Sequence, residues 1–231
     1  MVSSHAGFLF PAPEIVTPRT SLTRRVRRVR NHAALGAASL GATGALFAAI
    51  QSNDPVFRAS IATAYVALGL FIITLAFGPY AALRGRRYPV SADIRRDFGI
   101  WSGLVAIVHV VVGLQVHLRG KMWEYFVRPT KGVLLPRIDA FGAANYTGLA
   151  AALIFVALLV TSNDASLRRL GTQRWRSLHA LATWALILTL LHAVTYQFIE
   201  KRRWEVVLGL VVFSVAAVWL RRERARMAVT D

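Results

Sequence analysis

His179 and His192 stand thirteen residues apart in LHALATWALILTLLHAVTYQF, a predominantly apolar stretch. A third histidine, His109, lies in another, LVAIVHVVVGL. An ionisable side chain at membrane depth is costly, so it marks a functional site before it marks anything else. Neutral imidazole is a common metal ligand and a standard axial ligand of haem iron. Helices that each turn a histidine toward a shared interior are the simplest way to hold a haem in a bilayer. The chemistry in question is therefore axial ligation and one-electron transfer.

Such histidines must be positioned by membrane-spanning helices, and the composition supplies them. Of 231 residues, 55% are hydrophobic, which is above the share of an ordinary soluble domain. Six apolar runs approach or exceed the roughly 20 residues that span a bilayer as a helix. They are expected near 32–51, 59–80, 98–118, 142–161, 178–198 and 204–220. The fold class is accordingly all-α, an integral membrane six-helix bundle. The expected organisation is a basic tail over 1–31, a transmembrane domain over 32–220 and a second basic tail over 221–231. RRVRR before AALGAASLGATGALFAA also has the form of a signal peptide. Its length favours a retained helix.

A net charge of +17 raises nucleic acid as a partner, but the positions argue for topology instead. With RTSLTRRVRRVR in the cytoplasm and alternation from there, 19 of the 28 Lys+Arg fall on the cytoplasmic side. The positive-inside rule then puts both termini in the cytoplasm, and no nucleic-acid partner is expected. The expected location is the plasma membrane, in a bacterium the inner membrane. There is no cysteine, which removes disulfides, thiolate-held iron–sulfur clusters and covalent c-type haem attachment. Any haem must be b-type.

Depth along the helices selects a ligand pair. His109 is twelve residues past Asp97, about 18 Å into the bilayer at the helical rise. His179 follows Arg176 by three residues, so it lies only about 5 Å past the boundary, and His192 is roughly 20 Å further on. The third and fifth helices run in the same direction, so His109 and His192 reach similar levels as axial ligands of one haem. His117, nearer the outer interface, is the alternative to His109. His179 is a layer lower, where a second haem would sit. The third helix offers it no partner, since position 95 is Arg and position 123 is Trp. Thirteen residues also leave His179 and His192 about 140° apart on an ideal helix, so one face carries both only if the helix is bent or bulged. His5 and His32 receive no role.

Isolated histidines hydrogen-bond between membrane helices, but three on two helices at compatible depth favour metal or haem. Bare metal lacks the accompanying carboxylate or thiolate. A transporter ordinarily shows intramembrane Asp or Glu, and the eleven acids here fall in tails, connectors or helix ends. A cofactor-free transporter or scaffold remains the alternative class. The longest connector, HLRGKMWEYFVRPTKGVLLPRIDAFGAAN, is expected along the non-cytoplasmic interface, as a docking surface or a plain link. In TSNDASLRRLGTQRWRS, Asn163 or Asp164 is expected to cap a short helix that Gly171 ends.

The stretch TSNDASLRRLGTQRWRSLHALATWALILTLLH resembles the signature of the ferric-reductase-like transmembrane family. Its elements are a Thr-Ser at a helix end, a Leu-Gly, Trp-x-x-Leu-His and a second His thirteen residues on. RRDFGIWSGLVAIVH resembles the matching third-helix segment of bacterial haem-binding members, the membrane subunits of methionine sulfoxide reductase systems among them. The resemblance covers roughly 75–200. It implies a six-helix bundle passing electrons from a reduced flavin or quinone to an acceptor such as ferric iron or a periplasmic oxidoreductase. By motif, His109, His179 and His192 match haem-ligand positions, for one haem b or two. The oxidases of the family carry two histidines on each of two helices, a pattern this chain does not complete. No Gly-rich phosphate loop follows the last apolar run. The donor is therefore expected from a partner, such as a cytoplasmic flavin reductase (with FMN), or from quinone in the lipid phase. Arg174 and Arg176, beside His179, would pair with a haem propionate or serve as positive-inside anchors.

Overall fold

The computed structural model describes residues 18–83 and 92–200, and beyond them 204–205, 208–209, 211–216 and 218–219. The outer parts of the expected tails, with His5, and the connector arginines Arg84, Arg86 and Arg87 lie outside the described residues. In chain order the elements are α1 (Pro18–Ala49), α2 (Pro55–Leu83), α3 (Ala92–Gly113), a 3-10 turn (Met122–Tyr125), β1 (Val127–Thr130), β2 (Val133–Pro136), α4 (Ala140–Thr161), α5 (Asp164–Ala180) and α6 (Ala182–Glu200). Every described residue from 204 to 219 is helical as well. Among the described residues, five helical stretches are long and apolar enough to cross a bilayer: Leu22–Ala49, Pro55–Phe77, Asp93–Gly113, Ala140–Thr161 and Asp164–Glu200. The protein is an all-α, multi-pass membrane bundle.

Its exposed faces are those of a bundle in lipid. Leu104, Val108 and Val111 of α3, Leu153, Val156 and Val160 of α4, and Trp184, Ile187 and Leu191 of α6 are exposed. Each set recurs at three- and four-residue spacing, one stripe per helix. Between helices the contacts are close and partly polar, as expected where packing rather than water exclusion drives association. Buried Ser102 of α3 donates to the Ala67 carbonyl of α2 at 2.9 Å. The apolar core lies between α2, α4 and α6, around Leu75, Phe155 and Leu186, with Phe71 and Phe155 rings 4.6 Å apart.

The first helix starts fourteen residues earlier than the apolar run at 32. The reason is ionic. Arg24 and Arg28 share a helical face one turn apart, and so do Asp93 and Asp97 at the start of α3. Arg24 Nη2 lies 2.7 Å from Asp93 Oδ1 and Arg28 Nη2 lies 2.8 Å from Asp97 Oδ1. Asp97 is fully buried and also takes Asn31 Nδ2 at 3.3 Å and His32 Nε2 at 3.2 Å. Arg96 and Arg24 both reach Asp164 at the start of α5. A stretch that reads as a basic tail is thus the first half of a helix, fastened to two others at what we term the basic end. At the other end, Arg58 of α2 closes α1 by donating to the Phe47 carbonyl at 2.6 and 2.9 Å.

Three further differences from expectation have local causes. A proline removes one helical hydrogen bond without forbidding the helix, and α2 continues past Gly78-Pro79 to Leu83. The third helix ends at Gly113 rather than 118. Tyr125 Oη donates to the Gly113 carbonyl at 3.0 Å and accepts the His117 N–H at 2.9 Å, so the side chain completes the helix end. The long connector forms a β-hairpin whose two-residue turn, Lys131-Gly132, has φ of 50° and 82°. Both positive angles suit the right-handed twist of a tight hairpin. In the α4–α5 link, Asn163 Oδ1 accepts from Ser166 N at 2.8 Å and Gly171, at φ 72°, interrupts α5, as its sequence implies.

Removing one member of a buried ion pair strands the other charge, at a cost of about 3 kcal/mol or more. Asp97→Ala should lower the thermal unfolding midpoint of the protein in detergent, while the exposed Arg25→Ala should leave it unchanged. Equal midpoints for Asp97→Ala and the parent would show that the ionic fastening carries no stability.

Candidate functional site

His109 on α3 and His192 on α6 face each other across the bundle, their ring centroids 6.2 Å apart and their planes at 74°. Each ring is fixed through Nδ1. His109 Nδ1 lies 2.9 Å from the Ser60 carbonyl of α2, with Ser60 Oγ at 3.5 Å. His192 Nδ1 lies 2.8 Å from the Ala144 carbonyl of α4. A carbonyl oxygen only accepts, so Nδ1 carries the proton on both rings and Nε2 is the nitrogen suited to ligation. A ligating histidine that donates its other N–H to a backbone carbonyl is the usual arrangement at metal centres.

The backbone makes room for this. A side chain on a helix covers the turn before its own Cα, so residue 148 would ordinarily cover the Ala144 carbonyl. Position 148 is glycine, and a Cβ there would lie 2.6 Å from His192 Nδ1. The glycine uncovers the carbonyl that holds the ring.

Both histidines line one cavity of about 250 Å³ between the α2–α3 pair and the α4–α6 pair. Its two ends differ. Toward the basic end the lining is mainly apolar, with Leu68, Ala106 and Phe155 beside Tyr65 and Thr189. Toward the hairpin end it is polar, with His117, Asn145, Tyr196 and Gln197. The Tyr196 ring stands 4.9 Å from that of His192 and its hydroxyl donates to Asn145 Oδ1 at 2.9 Å. His117 stacks on Tyr196 at 6.3 Å and 12°, and its Nε2 lies 2.9 Å from Glu200 Oε1. Tyr125 and Phe126, just before the hairpin, form that end of the lining.

Two imidazoles on opposite sides of one metal atom, with metal–nitrogen bonds of about 2 Å and about 1.1 Å more to each ring centre, put their centroids roughly 6 Å apart. The 6.2 Å of His109 and His192 fits that spacing. Among the described residues no group of three or more His, Asp or Glu stands where it could hold a bare metal ion. Two facing imidazoles would suit the axial positions of a metal whose equatorial ligands a macrocycle supplies.

The other residues singled out by sequence lie elsewhere. His179 is near the end of α5, two residues before Leu181, where α5 runs on into α6 with the backbone still αR (φ −58°, ψ −16°). Its ring stacks on Trp175 at 3.8 Å and 23°, and its Nε2 lies 3.3 Å from Thr161 Oγ1. Trp175 Nε1 donates in turn to the Thr161 carbonyl at 2.9 Å. None of these residues lines the cavity. Arg174 and Arg176 are exposed on the same turns. His32 belongs to the Asp97 cluster at the basic end. Sequence reasoning passed over Asn145, Gly148, Tyr196 and Gln197. Amide side chains inside apolar runs, at Asn145 and Gln197, were the available signal.

Comparison with known proteins adds the family. The protein-methionine-sulfoxide reductase heme-binding subunit MsrQ of Deinococcus radiodurans is 31% identical over 141 residues, 60% of this chain and 62% of that protein. The proteins of the same name from Xanthomonas axonopodis pv. citri and Rhodospirillum rubrum are 33% and 29% identical over 139 and 163 residues. These matches cover 60% and 68% of this chain, and 58% and 71% of the respective relatives. The chain thus spans about three-fifths of the length of the first two relatives. Residues 61–190 match the family described as ferric reductase like transmembrane component, a segment that holds His109 and His179 and stops two residues short of His192. The match takes in more than half of the chain, and the chain belongs to that family.

Proposed function

We propose that this chain is a membrane electron-transfer subunit that holds a b-type haem between His109 and His192. The observation that carries the reading is the pair of Nδ1-anchored imidazoles on α3 and α6, at the spacing of an axial pair. A haem bound there supplies one-electron chemistry of its own. The protein's part is to ligate through Nε2, to fix both ring orientations through the Ser60 and Ala144 carbonyls, and to exclude water with Leu68, Ala106 and Phe155. The chain has no cysteine, so the group is held without a covalent thioether bond to the protein.

The names of the relatives call each of them a heme-binding subunit of a reductase, which supports both the cofactor and a redox partner protein. His179 is the candidate ligand of a second haem near the basic end, where Arg174 and Arg176 would meet its propionates. The transmembrane unit is 32–220, between the basic segments 1–31, whose residues from Pro18 on open α1, and 221–231. The basic end faces the cytoplasm of a bacterium and the hairpin end faces outward. Electrons then enter from a flavoprotein or quinone and leave on the hairpin side to an acceptor enzyme or ferric iron.

The purified full-length protein, expressed with haem supplied, should show a reducible b-type Soret and α band. A colourless protein would leave the cofactor-free transporter or scaffold standing. His109→Ala and His192→Ala should each lose most of the haem, and full retention in both would refute the pairing. Gly148→Val should reduce haem content while helical circular dichroism is kept, because its side chain displaces the His192 ring. Unchanged haem content would show that this close approach is not needed. Haem per protein should fall from two to one in His179→Ala if that residue ligates, and a parent ratio of one would remove the second haem. The absence of native cysteine gives a clean orientation test in cells. Lys131→Cys in the hairpin turn should react with an impermeant thiol reagent and Ser166→Cys should not. The reverse pattern would invert the topology.

A further inference from the structure

Gln197 on α6 is 2% exposed, lines the cavity, and its Nε2 has no hydrogen-bond partner. A buried donor left without an acceptor is expensive, and such a group in a native interior calls for an explanation. Among the described residues the one other buried side-chain atom without a partner is Trp101 Nε1, and Trp101 lies against Gly36 of α1, away from the cavity. The other polar groups around Gln197 are committed. Tyr196 Oη donates to Asn145, Asn145 Nδ2 donates to the Phe141 carbonyl at 2.7 Å, and Tyr125 Oη donates to Gly113.

We infer that Gln197 Nε2 donates to a propionate of the haem ligated by His109 and His192, and that it fixes the haem with both propionates toward the hairpin end. The inference rests on the haem reading above. A porphyrin whose plane crosses the His109–His192 line stands edge-on between the helix pairs, with one edge toward each end of the cavity. Five residues of helix carry Gln197 about 7.5 Å past His192 toward the hairpin and about 140° around α6, and its place in the cavity lining sets it at the level of one edge. The lining at the opposite edge is mainly apolar, with Leu68, Ala106 and Phe155, which suits methyl and vinyl groups; its hydroxyls are those of Tyr65 and of Thr189, the latter donating to the Ala185 carbonyl at 2.7 Å. Glu200, one turn beyond Gln197, does not line the cavity and is engaged with His117 at 2.9 Å. The carboxylate nearest this end is therefore turned away from the proposed anion. Arg174 and Arg176 are at the basic end and serve no propionate of this haem.

The test uses full-length apoprotein reconstituted with iron protoporphyrin IX or with its dimethyl ester, in which both carboxylates are blocked. A hydrogen bond to an ionised partner is worth about tenfold or more in an equilibrium constant. The parent should therefore bind the free acid about tenfold more tightly than the ester. Gln197→Leu should weaken the free acid by about that factor and leave the ester nearly unchanged. Gln197→Glu keeps the side-chain shape and sets a carboxylate against the propionate, so it should weaken the free acid further and again spare the ester. Resonance Raman spectra of the free-acid complex should show the propionate bending band moved in both variants. Equal loss for acid and ester, or no loss for either, would overturn the role of Gln197 while leaving axial ligation intact. If neither porphyrin gives a bis-imidazole spectrum with the parent protein, the haem reading itself fails.

Discussion

The arrangement around the cavity depends on one interaction made twice, an imidazole N–H donated to the carbonyl of a neighbouring transmembrane helix. Ser60 holds His109 and Ala144 holds His192. Each carbonyl belongs to a different helix from the ring it holds, so the two bonds fix helix spacing as well as ring orientation. In lipid there is no water to substitute for such a bond. The α2–α3 pair and the α4–α6 pair are each held together by one of them. The cavity is the space left between the pairs. Gly148 is a condition of the second bond, because a side chain there would occupy the place of the ring.

Around this centre the polarity is segregated by depth. At the basic end, carboxylates at Asp93, Asp97 and Asp164 draw α1, α3 and α5 together through arginines. The middle is aliphatic and aromatic. At the hairpin end, ion pairs such as Arg119–Asp54 and Arg137–Asp139 are joined by stacked rings, and Tyr125 ties the connector to the last turn of α3.

The histidine level was legible because depth in a bilayer is set by helical rise alone, and parallel helices compare directly. The six apolar runs were legible for the same reason. What escaped was whatever depends on a distant partner or on backbone atoms. RTSLTRRVRR reads as a tail until Asp93 and Asp97, some seventy residues on, are seen to match its spacing. Lys131-Gly132 is a hairpin signal in its own right, but its strands of four residues are lost among neighbouring aliphatics. The carbonyls of Ser60 and Ala144 have no sequence signature, and Gly148 in an Ala-rich helix reads as one small residue among many. The thirteen-residue spacing of His179 and His192 was legible, while the group each ring meets, the Thr161 hydroxyl for one and the Ala144 carbonyl for the other, was not.

The choice of acceptor for the two Nδ1 protons has a consequence for energetics. A histidine bonded to a carboxylate takes on imidazolate character and becomes a stronger electron donor, while one bonded to a neutral carbonyl does not. Both rings here rest on neutral carbonyls, within an apolar lining that disfavours added net charge. For the haem proposed here, whose iron carries one more positive charge when ferric than when ferrous, this setting would favour the reduced state.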